Sequence, residues 1–221
     1  MFKAALFDWD GVVVDSSAAH KESWEALARE EGLPLAEDHF AKSFGRTNKV
    51  IIPEVYCWTK EPAEIVRIGE RKEYLYREII SQWSAERLAL PGALELLHAL
   101  KAAGIPTAVG SSTAKENITL VLGKLGVAEC FSAMITAENV SRGKPDPEVF
   151  LKGAAALGIA PEDCVVFEDA VYGIEAAKAG GMKAVAVLTS HPRQSFVGKA
   201  DLIVDSLSEI TPASLATLWR V

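Results

Sequence analysis

Short apolar runs alternate with amphipathic segments along most of this chain, and that alternation restricts the possible folds more than any other feature. The runs are apolar on nearly every residue, and they span 4–9, 106–110, 133–136, 164–167, 184–188 and 202–204. Between them, apolar residues recur at helical spacing, as in 93–103, 115–125, 148–157 and 171–179. Strands that are apolar on both faces must be buried on both sides, and here each is followed by a helix. This pattern predicts an α/β fold with a doubly wound, Rossmann-like parallel sheet.

One long stretch departs from this alternation, because residues 16–86 show only helical patterns. A first helix is expected to be capped by Ser16 or Ser17, and a second is expected to begin at Pro62. An all-helical block after the first strand predicts a separate cap domain over the carboxyl edge of the sheet. We therefore expect an α/β core of residues 1–15 and 87–221 and an all-helical cap domain of residues 16–86.

Composition and charge exclude several classes of function. With 23 Lys and Arg against 30 Asp and Glu, the net charge of −7 gives no support for a nucleic-acid-binding surface. No apolar stretch approaches the ~18 residues of a membrane span, and charges interrupt the N-terminal segment where a signal peptide would be apolar. The cysteines lie far apart and suit neither a disulfide framework nor a zinc site. We expect a cytoplasmic monomer.

Polar side chains follow the predicted strands where those strands end. Asp8 and Asp10 close the first strand, Ser111 and Ser112 follow the second, Lys144 follows the third, and Glu168 and Asp169 close the fourth. Each segment alone suits a turn, a helix cap or a solvated loop. Ligands of open α/β sheets bind outside the carboxyl ends of the strands, so these side chains are expected to share one crevice. Clustered carboxylates repel one another unless a cation lies among them, and oxygen ligands favour Mg²⁺.

A hydroxyl and a lysine beside such a metal site suit a phosphoryl group. Ser111 supplies a hydrogen-bond donor and Lys144 supplies a positive charge. A carboxylate that attacks a phosphate dianion must overcome repulsion of about 4 kcal/mol per unit pair at ~4 Å and an effective dielectric of ~20. Mg²⁺ and Lys144 together offset that repulsion, so these residues predict phosphoryl transfer through an aspartyl-phosphate.

The same residues resemble the motifs of the haloacid dehalogenase (HAD) superfamily. The matching segments are Phe-Asp-Trp-Asp-Gly-Val-Val-Val-Asp-Ser at 7–16, Ser111, Gly-Lys-Pro-Asp-Pro at 143–147 and Glu168-Asp169. The insertion after the first strand resembles the subgroup with a helical cap, which includes β-phosphoglucomutase and many small phosphatases. The resemblance implies that Asp8 is the nucleophile, Asp10 the general acid/base, and Ser111 and Lys144 the groups that hold the phosphoryl. It further implies that Mg²⁺ is bound by the Asp8 carboxylate, the Asp10 backbone carbonyl and Asp169, with Glu168 contributing directly or through water.

Asp10 distinguishes among the members of this superfamily. Dehalogenases lack this second aspartate because a halide leaving group needs no proton, and phosphonate-cleaving members replace it and use a Schiff-base lysine. An alkoxide leaving group does need a proton. The presence of Asp10 therefore implies that the substrate is a phosphate ester.

Expectations about specificity depend on the predicted cap domain. His20 shares a helix face with Trp24 and Leu27, which we assign to the interior of the cap. His20 and Lys72 resemble residues of β-phosphoglucomutase, where the histidine helps to gate the acid/base aspartate and the lysine faces the substrate. The predicted substrate-binding residues are His20, Arg46, Lys72 and Ser112. Arg46 is equally compatible with a plain surface position, and His191 and Arg193 belong either to the rim of the site or to an ordinary loop.

A second resemblance, to plant chloroplast HAD proteins assigned to flavin-pathway phosphate hydrolysis, favours a phosphatase. It rests on residues 54–58, 71–73, 142–148 and 190–192. We predict a Mg²⁺-dependent phosphomonoesterase acting on a small phosphorylated metabolite, either a sugar phosphate or a flavin-pathway phosphate. A β-phosphoglucomutase-type mutase is the enzymatic alternative. A phospho-receiver signalling domain carries similar residues, but in a different order and in a much shorter chain without a helical insertion.

Overall fold

A single parallel sheet organises the computed structural model, which describes residues 1–43 and 45–219. The strands are β1 (Ala4–Phe7), β2 (Thr107–Gly110), β3 (Ala133–Ile135), β4 (Cys164–Glu168), β5 (Lys183–Val187) and β6 (Leu202–Val204). Their order is β3-β2-β1-β4-β5-β6, and every neighbouring pair is parallel. Strand β1 therefore lies between β2 and β4, at the switch point where a doubly wound sheet opens a crevice.

Both faces of the sheet are buried, which explains why the strands are apolar on successive residues. Phe7 belongs to the apolar cluster on one face, together with Val165, whereas its neighbour Leu6 belongs to the cluster on the other face, together with Val166. Successive side chains of a strand point to opposite faces, so each face needs its own apolar set. The predicted α/β, doubly wound parallel sheet is confirmed.

Helices account for most of the remaining chain. The α-helices are α1 (Ser17–Glu31), α2 (His39–Ser43), α3 (Asn48–Val50), α4 (Pro62–Ser81), α5 (Ala85–Leu88), α6 (Ala93–Ala102), α7 (Lys115–Leu125), α8 (Glu148–Leu157), α9 (Val171–Ala179) and α10 (Pro212–Ala216). A π-helical turn at Ile51–Val55 follows α3 directly. Within the described part of the chain, none of these helices has the length and apolar character needed to span a membrane.

The segment between β1 and β2 contains a helical insertion, formed by α1 to α5. Helices α1 and α4 pack together around buried side chains that include Trp24, Leu27 and Ile68, as predicted for the first two. The two ends of the insertion lie side by side, because the Asp15 N–H donates to the Leu88 carbonyl at 2.8 Å. Phe44 of the predicted cap domain, and Arg220 and Val221 of the predicted core, lie outside the described residues.

Two sequence predictions at this junction were wrong in detail. Strand β1 ends at Phe7 rather than at residue 9, because the chain turns and Gly11 adopts a φ of +82°. Ser16 occupies the N-cap position of α1, as one of the two expected residues, but its hydroxyl donates to Asp10 and does not cap the helix. The Ser17 hydroxyl donates to Asp15. A buried carboxylate requires donors, and the Ser17 N–H at the start of α1 is satisfied by Asp15 Oδ1 at 3.4 Å instead.

Candidate active site

Three buried carboxylates meet at the carboxyl ends of β1 and β4. Asp8, Glu168 and Asp169 each place one carboxylate oxygen within 4.8 Å of the others. Burial, opposed by Lys144 and reinforced by the neighbouring carboxylates, raises the pKa of Asp8 to about 7. Burial and the charges of Glu168 and Asp8 raise the pKa of Asp169 well above its usual range. Crowded carboxylates that resist ionisation could hold a divalent cation, which would relieve their repulsion.

Two glycines lie so close to this cluster that a side chain at either position would overlap a carboxylate. A Cβ at Gly11 would lie 1.9 Å from Asp169 Oδ2, and a Cβ at Gly173 would lie 1.8 Å from Glu168 Oε1. Gly11 forms the turn after β1, and the role of Gly173 is not among the sequence predictions. The sequence feature that could have indicated this role is the position of Gly173, in the first turn of the helix that follows Glu168 and Asp169.

Lys144 reaches the carboxylates from the loop between β3 and α8. Its Nζ lies 2.8 Å from Asp8 Oδ1 and 2.5 Å from Glu168 Oε1, and its side chain is 6% exposed. Burial opposes the charged form, but the charges of Asp8 and Glu168 raise the pKa of Lys144 above its usual range. The ammonium therefore stays charged and stands beside the carboxylate expected to attack phosphorus.

Ser111 and Ser112 follow β2 and reach the same crevice. Ser111 is buried, and its hydroxyl accepts a hydrogen bond from the Thr113 N–H at 3.2 Å. Ser112 is half-buried. Both serines line a cavity of about 1650 Å³ that Asp8 and Lys144 also line. The structure thus brings together the strand-end residues that the sequence predicts to act together.

The Asp10 carboxylate lies beside the cluster but faces other partners. The hydroxyls of Ser16 and Thr113 donate to it, and His20 Nε2 lies 3.5 Å from its Oδ1. Burial alone would raise the pKa of Asp10, but His20 and the two hydroxyls lower it to about 2. Thr113 was missed by the sequence predictions, although it continues the run of hydroxyl residues after β2.

The loop after β5 completes the edge of the site. The Ser190 hydroxyl donates to Asp169 Oδ2, and the Thr189 hydroxyl donates to the Gly11 carbonyl. His191 lines the cavity, with Nδ1 3.1 Å from the Asp169 carbonyl oxygen. Arg193 instead bonds to Asp205 at 2.9 Å and is not among the cavity-lining residues. The strand-end rule that identified Asp8 would also have identified Thr189 and Ser190.

Helices α1 and α4 supply the opposite wall of the cavity. His20 Nδ1 lies 2.7 Å from Lys72 Nζ, and the imidazole stacks on the Tyr76 ring with centroids 4.2 Å apart. Lys72 is 2% exposed, and its Nζ lies 3.1 Å from Glu73 Oε1. His20 and Lys72 both line the cavity, so the structure places these two predicted substrate-binding residues opposite the strand ends.

Arg46 occupies the mouth of the cavity. It is exposed, and its guanidinium carbon lies 5.6 Å from the centre of the Tyr172 ring. Tyr172 belongs to α9 of the α/β core and is 49% exposed. This pair joins the helical insertion to the core at the entrance, where a cation and an aromatic face are both accessible.

Several known proteins are similar to this chain in sequence or in structure. The family model described as haloacid dehalogenase-like hydrolase matches residues 2–181. The chloroplastic 5-amino-6-(5-phospho-D-ribitylamino)uracil phosphatase of Arabidopsis thaliana is 36% identical over 216 residues, which cover 97% of this chain and only 57% of that relative. The β-phosphoglucomutase of Bacillus subtilis is 33% identical over 223 residues, covering 99% and 96% of the two chains. A crystal structure of β-phosphoglucomutase from Clostridium difficile matches with a TM-score of 0.87 at 28% identity, covering 100% and 98%.

Proposed function

This chain belongs to the haloacid dehalogenase-like hydrolase family, as its sequence resemblance indicated, and we propose that it is a Mg²⁺-dependent phosphomonoesterase. Its substrate in this proposal is a small phosphorylated metabolite, hydrolysed through an aspartyl-phosphate. The observation that carries the proposal is the contact of Lys144 with Asp8 and Glu168, inside a buried group of three carboxylates. Carboxylates and an ammonium group gathered at a strand edge suit the binding and transfer of a phosphoryl group.

In the proposed reaction Asp8 is the nucleophile. A carboxylate oxygen of Asp8 forms a bond to phosphorus while the bond between phosphorus and the alcohol oxygen breaks, and Asp10 donates a proton to that oxygen. Water then attacks the phosphorus of the aspartyl-phosphate and gives its proton to Asp10, which releases phosphate and restores the Asp8 carboxylate. The low pKa of Asp10 means that its carboxylate is ionised at neutral pH and can accept a proton in the second step. The approach of an anionic phosphate raises that pKa, as the first step requires.

Ser111 and Lys144 are proposed to hold the phosphoryl group during both steps. Lys144 supplies a fixed positive charge beside Asp8, and Ser111 supplies a hydroxyl at the end of the adjacent strand. Asp8, Glu168, Asp169 and the Asp10 backbone carbonyl would hold Mg²⁺. The ion, when bound, supplies charge that offsets the repulsion between the attacking carboxylate and the phosphate.

Residues 16–86 are proposed to form a cap domain, with residues 1–15 and 87–221 as the catalytic core. The separate apolar cluster between α1 and α4 supports this division, and so do the two adjacent connecting segments. His20, Arg46, Lys72 and Ser112 are proposed to contact the substrate, since all of them line the cavity. The names of the relatives support a sugar phosphate or a flavin-pathway phosphate as substrate.

A β-phosphoglucomutase-type sugar-phosphate mutase is the second candidate. The contact of His20 with Lys72 favours it, because both residues resemble the mutase in sequence and lie opposite the strand ends. In a mutase, the phosphoryl group on Asp8 passes to a sugar hydroxyl instead of to water. Such an enzyme isomerises its substrate and releases little inorganic phosphate.

A screen of phosphorylated metabolites distinguishes the two candidates. Sugar phosphates and flavin-pathway phosphates are incubated with the protein in Mg²⁺ or in EDTA, and both inorganic phosphate and isomerised product are measured. The proposal predicts phosphate release that depends on Mg²⁺. Isomerisation with little phosphate release would establish the mutase instead, and no reaction with any ester would overturn both candidates.

A further inference from the structure

Asn117 is a buried polar side chain of the α/β core, and both ends of its amide bind the helical insertion. It lies on α7 and is 0% exposed. Its Nδ2 donates to Glu73 Oε2, and its Oδ1 accepts a hydrogen bond from Arg77 Nη1 at 3.1 Å. A carboxylate only accepts and a guanidinium only donates, so these partners define the orientation of the amide. Glu73 and Arg77 lie one helical turn apart on α4, so Asn117 forms hydrogen bonds with two successive turns of that helix.

Glu73 extends this contact towards the wall of the cavity. Its Oε1 accepts a hydrogen bond from Asn48 Nδ2 at 2.7 Å and lies 3.1 Å from Lys72 Nζ. Burial opposes the ionisation of Glu73, but Lys72, His20 and the two asparagines lower its pKa below the usual value. Glu73 is therefore an ionised group whose partners come from both the insertion and the core.

The contacts continue from Glu73 to Asp10. Lys72 Nζ lies 2.7 Å from His20 Nδ1, and His20 Nε2 lies 3.5 Å from Asp10 Oδ1. An ammonium group only donates, so Nδ1 accepts from Lys72 and the Nε2 proton faces Asp10. A connected series of polar contacts thus starts on α7 of the core, passes through the insertion, and returns to the core at Asp10.

We propose that Asn117 is a positioning residue, which docks α4 on the core and, through Glu73, holds Lys72 and His20 opposite Asp10. This inference rests on the proposed function, because it concerns the same site. Separation of the insertion from the core breaks both bonds of Asn117 and exposes its amide and the Glu73 carboxylate to water. Hydrogen bonds to charged groups contribute more to stability than hydrogen bonds between neutral groups, so both bonds of Asn117 favour the docked position of α4.

The experiment compares Asn117→Asp, Glu73→Gln and the double variant that carries both substitutions. In Asn117→Asp, two carboxylates face each other where an amide donated to a carboxylate. In the double variant, the amide introduced at position 73 donates to the carboxylate introduced at position 117, while its oxygen remains available to Asn48 and Lys72. Thr119→Asp is the matched control, because it adds the same charge to an exposed position of α7.

For the esters found in the screen, kcat/KM of Asn117→Asp is expected to fall by about 10- to 100-fold, and the double variant is expected to recover to within about threefold of the wild type. Thr119→Asp should stay within about twofold of the wild type. Hydrolysis of p-nitrophenyl phosphate, whose leaving group needs no proton from Asp10, should change far less in Asn117→Asp. A role confined to overall stability would affect both esters alike.

Hydrogen–deuterium exchange of α4 gives a readout that does not require activity. The exchange rate of Pro62–Ser81 should rise in Asn117→Asp and return towards the wild-type rate in the double variant. Asn117→Ala deletes both hydrogen bonds without adding charge, and it should also raise the exchange rate of α4. This variant replaces Asn117→Asp in the experiment if Asn117→Asp does not fold. Unchanged exchange in both Asn117 variants, or a double variant no better than Asn117→Asp, would overturn the inference. An inactive wild-type protein would instead overturn the proposed function, and the exchange data would still decide the docking role.

Discussion

The carboxyl edge of the sheet and the helical insertion hold their polar groups in different ways. Asp8 and Glu168 lie at the ends of neighbouring strands, so the backbone ladder between β1 and β4 determines their separation. Lys72 and Glu73 are held by side chains from other helices, including Asn117 of the core. The first set is preorganised by the sheet itself, whereas the second set depends on how the insertion docks. The difference suggests that the edge performs the chemistry and that the insertion adjusts it to the substrate.

Asp8→Asn is expected to have the largest effect, because it removes the proposed nucleophile from the edge. Activity should fall by on the order of 10⁴-fold or more, measured as steady-state phosphate release. The fold should persist in circular dichroism, since the amide occupies the same space and removes one of three repelling charges. Asp205→Asn, at an exposed carboxylate paired with Arg193, is the control and should keep its activity. Activity of Asp8→Asn within about tenfold of the wild type would refute the nucleophile assignment.

Asp10→Asn should lower activity by an amount that depends on the leaving group. For an alkyl phosphate the loss should be about 10²- to 10⁴-fold, the usual contribution of general acid–base catalysis. For p-nitrophenyl phosphate the loss should be smaller, because p-nitrophenolate leaves without a proton. The ratio of kcat/KM for the two esters is the measurement. Equal losses on both esters would show that Asp10 does not protonate the leaving group.

Mg²⁺ should stabilise the wild-type protein by binding among the clustered carboxylates. At about 100 times the dissociation constant, a ligand that binds only the folded state adds about 2.7 kcal/mol to the free energy of unfolding. Asp169→Asn removes one carboxylate from the group of three, so thermal unfolding should show a much smaller Mg²⁺-dependent rise in Tm. Without Mg²⁺, the same variant should unfold at a higher temperature than the wild type, because it removes a buried like charge. Equal Mg²⁺-dependent rises in the two proteins would place the ion elsewhere.

Arg46→Ala should have the smallest effect, at the mouth of the cavity on the insertion side. Arg46 is exposed and stacks on Tyr172, so its loss removes one charge from the entrance without disturbing the buried contacts. We expect KM to rise about two- to fivefold with little change in kcat, as suits an exposed contact worth less than about 1 kcal/mol. Arg71→Ala, at a half-buried arginine of α4 paired with Glu30, is the control. A fall in kcat as large as that of Asp10→Asn would contradict a peripheral role for Arg46.

The edge of the sheet could be predicted from sequence because its geometry follows from topology. A parallel sheet brings the carboxyl ends of all its strands together, so a motif after an apolar run already indicates where its side chains lie. That rule placed Asp8, Lys144 and Glu168 in one crevice without knowledge of any side-chain contact. It also applies to Thr189 and Ser190, which were missed because hydroxyl residues after a strand carry a weaker signal than carboxylates.

The contacts of the insertion could not be predicted in the same way. The pairing of Glu73 with Asn117 depends on the rotation of α4 and on its docking against α7, and many packing contacts together determine both. No local pattern marks either residue as a partner of the other. Ser16 shows the same limit, because its position before α1 favours a cap, whereas the structure directs its hydroxyl to the buried Asp10 carboxylate.

Chemical trapping of the covalent intermediate shows directly whether Asp8 is the nucleophile. The protein is mixed with a substrate from the screen, quenched in acid during turnover and treated with borohydride, which reduces an acyl phosphate to the alcohol. Mass spectrometry of the tryptic peptide of residues 4–21 then locates the modified residue. We expect homoserine at position 8, with Asp10 and Asp15 unchanged. Homoserine at position 10, or phosphate release with no residue reduced under conditions that trap a reference acyl phosphate, would show that Asp8 is not the nucleophile.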